Sequence, residues 1–405
     1  MKKGRRILCV ILSGALLFAG CTSKKMNEGE EQKNVINTSG KEKNEHQSNL
    51  DMLRPMAYGN VEGLDLEPGT YISVIGKANG SHAYWKAVEE GAKRAEEDIN
   101  RMLGYKGADK VKVVYSAPEK ANNAESQIYI LDEELALYPS AIGIALIDVQ
   151  SCTVQFESAT DQEIPIVAFD SGTNYQGIVA KCSTDNEAAA RTAAAKLSDA
   201  IEENGEILIF SLDSSSESLQ TRVAGFQKEI AQHYQEENAD NVYHMNELEK
   251  TKQEMAAKQW QEENPLSEAD IDSSHPEFAA RVEAIDDKSV IKYILEQHPQ
   301  AKGIFATSAE TTKLILEVLE QEDASEAMKA LKVVGFDASQ KELSMLENEQ
   351  VVGVIIQNPY AMGYATVVAA ARAILVMGNE AVIDSGYTWV TKDNMEKKTI
   401  QKMLY

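Results

Sequence analysis

Seven residues along this chain share a type and a setting that suit recognition of a small, hydroxyl-rich molecule. His82, Tyr84 and Trp85 follow the apolar run Tyr71 to Ile75, and Asp170 follows Ile164-Pro165-Ile166-Val167-Ala168-Phe169. Arg222 stands before Gly225-Phe226, Asp337 follows Val333-Val334-Gly335-Phe336, and Gln357 follows Val352 to Ile356. Carboxylates accept hydrogen bonds from pairs of hydroxyls, a guanidinium donates to ring and hydroxyl oxygens, and aromatic faces pack on the C–H faces of a sugar ring. Each residue also has a plainer reading. An Asp after a buried strand often caps the next helix, Tyr84-Trp85 at a helix start is often core, and Arg222 fits an exposed helix position. What favours chemistry is the common setting, because open α/β sheets bind ligands at the carboxyl ends of their strands.

Catalysis has no comparable signature. The chain holds no Gly-x-Ser-x-Gly elbow, His-Glu-x-x-His helix, phosphate-binding loop or dinucleotide glycine fingerprint, so it reads as a binding protein, not an enzyme, and implies no cofactor. Gly76-Lys77 lacks both the preceding glycine and the following Ser or Thr of a phosphate loop. Of four Cys, Cys9 and Cys21 lie at the start of the chain; Cys152 and Cys182 remain, and their pairing is left open by the sequence. With two Cys and six scattered His, no metal site is expected. The net charge of -24 argues against a nucleic-acid partner, since binding phosphates needs concentrated Lys and Arg.

The elements that must position these residues alternate between short apolar strands and amphipathic helices, the pattern of a mostly parallel sheet covered on both faces. Strands are expected at 71–75, 111–115, 142–147, 164–169, 207–211, 242–245, 303–307, 333–336 and 352–356, too many for one simple lobe. Trp85, Val88, Ala92, Ala95 and Ile99 fall on one helical face opposite Glu89, Lys93 and Glu96. A second helix opens at Thr184-Asp185-Asn186-Glu187, a capping-box spacing, and continues through an alanine-rich run to 201. Residues 246–287 break the alternation with 12 acidic and 4 basic residues, and read as a polar insertion whose deletion should leave ligand affinity within a few-fold.

The first residues set the compartment. Lys2, Lys3, Arg5 and Arg6 precede the apolar run Ile7 to Phe18, which ends in Ala19, Gly20 and Cys21. That is a signal peptide over 1–20, since the run is shorter than the ~20 residues a membrane span needs. Leu17-Phe18-Ala19-Gly20-Cys21 resembles a bacterial lipobox, in which the Cys is acylated; several acyl chains make such an anchor stable. Residues 21–68 read as a disordered tether, because the stretch to Leu50 has few apolar side chains among Lys, Glu, Asn, Gln, Ser and Gly.

Several separate stretches resemble the type I periplasmic binding proteins, in particular the ribose-binding branch that shares its ligand-binding core with the lactose-repressor family. Gly80 to Ala92 is similar to that family's first helix, Ile164 to Asp170 to its Pro-Val-x-x-x-Asp strand, and Ser183 to Asn186 to its first crossover. Arg222 to Phe226 resembles its Arg-x-x-Gly-Phe helix, His298-Pro299 through Ala306 its next ligand strand, and Val333 to Asp337 its Val-Val-Gly-Phe-Asp strand, with Gln357 at the second crossover. The resemblance implies an α/β fold of two Rossmann-like lobes joined by three crossovers: 69–184 with 358–384, and 185–357 with 385–405. It implies Tyr84 and Trp85 as ring-packing groups and Asp170, Arg222, Asp337 and Gln357 as hydroxyl partners. Three positions depart from the branch: Ser171 replaces an Arg, Ser308 an Asn and His82 an Asn. These changes leave room and alter the donors, which points to a different pentose, a hexose or a related polyol.

The function so implied is a monomeric, lipid-anchored receptor on the extracytoplasmic face of the membrane that delivers a sugar ligand to an ABC permease. The alternative is a sensor presenting its closed state to a histidine kinase or chemoreceptor. A sugar-responsive repressor is excluded, because a leader and tether stand where a DNA-binding helix-turn-helix would be needed. The lipobox resemblance predicts that Cys21→Ser protein is soluble or unprocessed on membrane fractionation; processed, membrane-bound Cys21→Ser protein would contradict it.

Overall fold

The computed structural model describes residues 46–203, 205–211, 215–233, 241–243, 245–264, 276–337, 342–347, 350–401 and 404. The expected signal peptide, Cys21 and the first part of the expected tether lie outside them. The described chain opens with α1 (Gln47–Leu50) and continues through β1 (Tyr71–Ile75), α2 (Ala83–Leu103), β2 (Lys112–Ser116), α3 (Ala124–Ala136), β3 (Ala141–Ile144), α4 (Thr153–Asp161), β4 (Ile166–Phe169) and β5 (Ile178–Ser183). Next come α5 (Asn186–Ala200), β6 (Glu206–Phe210), α6 (Glu217–His233), β7 (Asn241–Tyr243), α7 (Met245–Glu263), α8 (Pro276–Ala284) and α9 (Asp287–Gln297). They lead into β8 (Ala301–Ala306), α10 (Ala309–Leu319), α11 (Glu326–Lys329), β9 (Lys332–Phe336) and β10 (Val351–Gln357). α12 (Pro359–Ile374), β11 (Val382–Asp384) and β12 (Tyr387–Val390) follow.

The strands form two six-stranded sheets, ordered β11-β5-β4-β3-β1-β2 and β12-β10-β9-β8-β6-β7. The second repeats the first, with β6 to β10 standing where β1 to β5 stand. Every pairing is parallel except that of β12 with β10. The expected α/β class with two parallel-sheet lobes is therefore what the chain adopts. β3 and β4 are buried along their whole length, as parallel strands covered on both faces must be.

The chain passes between sheets three times, after β5, after β10 and after β11. At the first two passes the following helix packs in the other lobe: α5 lies against α6, β8, β9 and β10, and α12 lies against α2, β3, β4 and β5. Both helices approach a neighbour closely through glycine. A Cβ on Gly91 of α2 would lie 2.0 Å from the Tyr360 carbonyl oxygen, and one on Gly363 of α12 would lie 2.0 Å from that of Val88. In the other lobe a Cβ on Gly225 would meet the Glu187 carbonyl oxygen at 2.8 Å, and α5 presents Ala189, Ala190, Ala193 and Ala194 to the core. Asp185, one residue beyond Thr184, caps α5 by accepting from the Ala188 N–H.

Residues 46–66 depart from the expected tether. Leu50, Leu53, Tyr58, Val61, Leu64 and Leu66 are buried in the first lobe's core. Their spacing follows neither a helical nor a strand period, so the apolar content was not legible as structure. The segment also reaches the crossovers: Arg54 and Asp384 exchange backbone hydrogen bonds, and Asn358 Nδ2 donates to the Asn49 and Ser385 carbonyl oxygens.

The segment 246–287 is likewise more than a solvated excursion. Its described part forms α7 and α8, and Leu248, Ala256, Phe278 and Ile285 are buried in the second lobe's core beside Val290 and Ile294 of α9. Four apolar anchors among many charges suffice because only one stripe of each helix faces inward. β5, β11 and β12 were not foreseen; β5 carries Lys181 and has exposed Val179, so it lacks an unbroken apolar run. Cys152 and Cys182 are buried and unpaired, and burial pushes the Cys182 thiol up to about 12. Among the described residues no helix is long and apolar enough to cross a membrane. Leu248→Ala should cost ~2 to 5 kcal/mol, as for other fully buried leucines. Denaturant unfolding checks this, and an unchanged midpoint would restore the reading of a dispensable insertion.

Candidate functional site

β1 and β4 are neighbours of β3, so their carboxyl ends open at the same edge of the first sheet. Asp170 follows β4 directly and has left-handed backbone, φ 57°. Its N–H donates to the Cys182 carbonyl oxygen, which fixes the turn, while the side chain leaves the sheet. Tyr84 Oη donates to Asp170 Oδ1 at 2.7 Å, and Lys77 Nζ lies 2.9 Å from Oδ2. Lys77 is two residues past β1 and is buried, and its ammonium also donates to Ser216 Oγ at 3.3 Å, just before α6 of the other lobe. Ser171 Oγ lies 3.3 Å from the same Ser216 Oγ.

The second lobe repeats the device. Asp337 follows β9 with φ 58°, and its N–H donates to the Ile355 carbonyl oxygen. Its Oδ1 accepts from the Gln357 N–H at 3.0 Å and its Oδ2 from Gln357 Nε2 at 2.6 Å. A carboxyl group accepting at both oxygens acts as a carboxylate. Left-handed backbone at a non-glycine residue is uncommon, tolerated best by Asp and Asn, and gathers at functional positions. Two Asp in that state at equivalent strand ends of two repeated sheets are therefore the strongest structural pointer to a site.

Arg222 is nearly inaccessible, with 3 % of its surface exposed, which overturns an ordinary exposed helix position. Its guanidinium lies 3.6 Å over the Phe336 ring, the residue before Asp337. Nε donates to Asn186 Oδ1 at 2.8 Å and Nη1 to the Thr307 carbonyl oxygen at 2.9 Å. Asn186 opens α5 and Thr307 directly follows β8, so one side chain on α6 ties three elements of the second lobe.

The remaining expected residues are placed less centrally. Trp85 is buried in the first lobe's core, edge-on to Phe169 and to Tyr84, so its ring supports the tyrosine from behind. Ser308 caps α10, its Oγ accepting from the Thr311 N–H at 3.2 Å. His82 is exposed at the N-cap of α2 and gives no side-chain cap bond. The structure thus joins Tyr84 with Asp170, and Asp337 with Gln357, and stacks Arg222 beside the second pair. Lys77 and Asn186 were missed. Lys77 carries a usable signal, a cation at a strand's carboxyl end, although Gly76-Lys77 matches no phosphate loop.

α6 also brings the lobes together. Glu217, in its first turn, accepts from Lys181 Nζ at 2.8 Å and from the Gly172 N–H at 3.2 Å, and the Ser218 N–H reaches Ser171 Oγ at 3.4 Å. Among the described residues no three His, Cys, Asp or Glu side chains gather as a metal would require. The arrangement offers fixed acceptors and donors on both lobes.

Comparison with known proteins agrees with this architecture. No curated protein sequence matches the chain. Among solved structures, a carbohydrate transporter solute binding protein from Agrobacterium radiobacter, in complex with D-arabinose, is 23% identical with a TM-score of 0.62, covering 83% of this chain and 99% of that one. An ABC transporter solute binding protein from Agrobacterium vitis, bound with α-D-tagatopyranose, is 20% identical with a TM-score of 0.63, over 83% and 99%. A glucose-galactose binding protein from Geobacillus stearothermophilus is 21% identical with a TM-score of 0.61, over 81% and 99%. At such identities these likenesses establish the fold. The profile of the periplasmic binding protein domain matches residues 72–272 and 274–380, most of the chain, and on that match together with its two repeated lobes the chain belongs to the periplasmic binding protein family.

Proposed function

We propose that this chain captures a monosaccharide or related polyol between its two lobes, while held at the extracytoplasmic membrane face by lipid on Cys21, and delivers it to the permease of an ABC importer. The observation that carries the reading is the matched pair of left-handed carboxylates, Asp170 and Asp337, each with an ordered donor partner. Each carboxylate keeps lone pairs for hydroxyl donors, and Lys77, Gln357 and Arg222 supply N–H groups for hydroxyl and ring oxygens. The sugars in the similar solved structures support a ligand of pentose or hexose size.

Closure follows from the same residues. Ser216, Glu217 and Ser218 meet the first lobe through Lys77, Lys181, Ser171 and Gly172, and Arg222 lies one turn further along α6. Holding the ligand and closing over it therefore use one rigid helix. A permease reading the closed state would then respond to an occupied cleft, since a ligand shifts such an equilibrium by its differential affinity for the two states.

A thermal-shift screen against sugars identifies the ligand, because one that binds only the folded state adds ~2.7 kcal/mol at 100 times its Kd. With that sugar, Arg222→Ala should weaken binding by ~2 to 4 kcal/mol, roughly 30-fold to 1,000-fold in Kd by calorimetry. The sequence alone suggests little effect on the unliganded protein. The buried guanidinium changes that expectation: losing it leaves Asn186 Oδ1 and the Thr307 carbonyl oxygen without their donor, so unfolding should be easier by ~1 to 3 kcal/mol. A Kd within about threefold of wild type, measured well below the melting midpoint, would remove Arg222 from the site.

A further inference from the structure

The first sheet changes its direction of growth between β1 and β3: β2 lies outside β1, while β4, β5 and β11 lie outside β3. At such a boundary the strands part at their carboxyl ends and leave a crevice. The last bond between the two strands runs from the Ala145 N–H to the Ile75 carbonyl oxygen at 2.9 Å. Beyond it Gly76, Ala145 and Ile147 are buried, and buried backbone polar groups need partners. Gln127, near the start of α3 and with 0 % of its surface exposed, supplies them. Its Nε2 donates to the Gly76 and Ala145 carbonyl oxygens at 3.1 and 2.8 Å, and its Oε1 accepts from the Ile147 N–H at 3.0 Å. A side-chain amide carries a peptide's donor and acceptor plus a second N–H, so this one serves as a further rung between strands that have already parted.

We infer that Gln127 is a positioning residue for the candidate site: it fixes Lys77 relative to Asp170, and ligand affinity depends on it through Lys77. This rests on the polyol-binding reading above and deepens it. Gly76 is joined directly to Lys77, whose own carbonyl oxygen accepts from the Asn122 N–H at 3.0 Å, just before α3. The peptide groups on both sides of Lys77 are thus held from the start of one helix. On the β3 side, Ala145 and Ile147 flank Leu146, whose N–H donates to the carbonyl oxygen of Ser171, next to Asp170, at 3.2 Å. One carboxamide thereby sets the cation and the carboxylate against each other. The tolerance is narrow. Lys77 Nζ lies 2.9 Å from Asp170 Oδ2 and 3.3 Å from Ser216 Oγ, and a further few tenths of an ångström takes the second contact beyond hydrogen-bond range. A binding group is only as precise as the residues that hold it, and Gln127 does so from a position with no exposed surface of its own.

Calorimetry with D-arabinose, D-xylose, D-ribose, D-glucose and D-galactose tests this, using whichever binds the unaltered protein. Gln127→Met keeps the length of the side chain and removes its three bonds, and should weaken that sugar by at least about fivefold. A smaller change overturns the inference. A double-mutant cycle separates positioning from a loss of stability. In a Lys77→Met background the same change should weaken binding by no more than about twofold. A larger loss there assigns Gln127 a general structural role and overturns the inference. A crystal structure of Gln127→Met protein gives a readout that needs no ligand, and it decides where Lys77→Met abolishes binding. Lys77 Nζ should then lie more than about 4 Å from Asp170, and a pair still at 2.9 Å overturns the inference. Where Gln127→Met does not fold, Gln127→Glu replaces it under the same limits, because a carboxyl group kept protonated by burial retains the Ile147 bond and one carbonyl bond. Failure of every sugar to bind the unaltered protein overturns the polyol reading and the affinity claim with it, whereas the crystal readout still tests whether Gln127 holds Lys77.

Discussion

Asp170 accepts from a tyrosine hydroxyl at one oxygen and from a lysine ammonium at the other, on backbone held left-handed after a buried strand. Much of the surrounding structure exists to make that arrangement tolerable. A carboxylate with 7 % of its surface exposed needs a counter-charge, and Lys77 can supply one only because β1 lies one strand from β4, with β3 between them. Tyr84 reaches it only because α2 begins at the same edge and is pinned by Trp85 against Phe169. The ammonium also bonds Ser216 of the second lobe, so the interaction that neutralises the first lobe's carboxylate is at the same time a contact between lobes.

That coupling needs a hinge that positions the lobes reproducibly. Asn358, fully buried at the second crossover, caps α12 and donates to the carbonyl oxygens of Asn49 and Ser385, while Thr184 and Ser385 bring their hydroxyls to 3.4 Å. The three passes are thus bonded to one another as well as to the segment before β1. Residues 46–66 precede the part matched by the family profile, which begins at 72, yet Arg54 pairs with Asp384 of β11 and Met52 packs on Gly386, whose φ is 78°.

How much of this was legible depended on whether a residue's role is written in local pattern. Strands such as β4, β8 and β9 announce themselves as short apolar runs, and the Asp after β4 and after β9 could be picked out by position alone. The carboxylate–glutamine pair across β9 and β10 was readable only as two separate strand ends, because their adjacency is a property of sheet order. Lys77 was passed over since a lone Lys after Gly76 matches no motif; its meaning comes from Asp170, 93 positions later in the chain. Ser308 shows the reverse case, a strand-end polar residue whose side chain is occupied in capping α10. The segments 46–66 and 246–287 were misjudged for one reason: a few apolar anchors in a polar background bury well when a neighbouring lobe supplies the rest of the surface.

In the proposed closed state, strand ends of both lobes hold one ligand together. A crystal structure of the protein with the sugar found by thermal-shift screening tests it most directly. The expected result is a single sugar with hydroxyl oxygens in hydrogen-bond distance of both Asp170 and Asp337, and with Arg222 and Lys77 donating to it. A sugar seated on one lobe alone, or elsewhere on the surface with both carboxylates left to their protein partners, would contradict it.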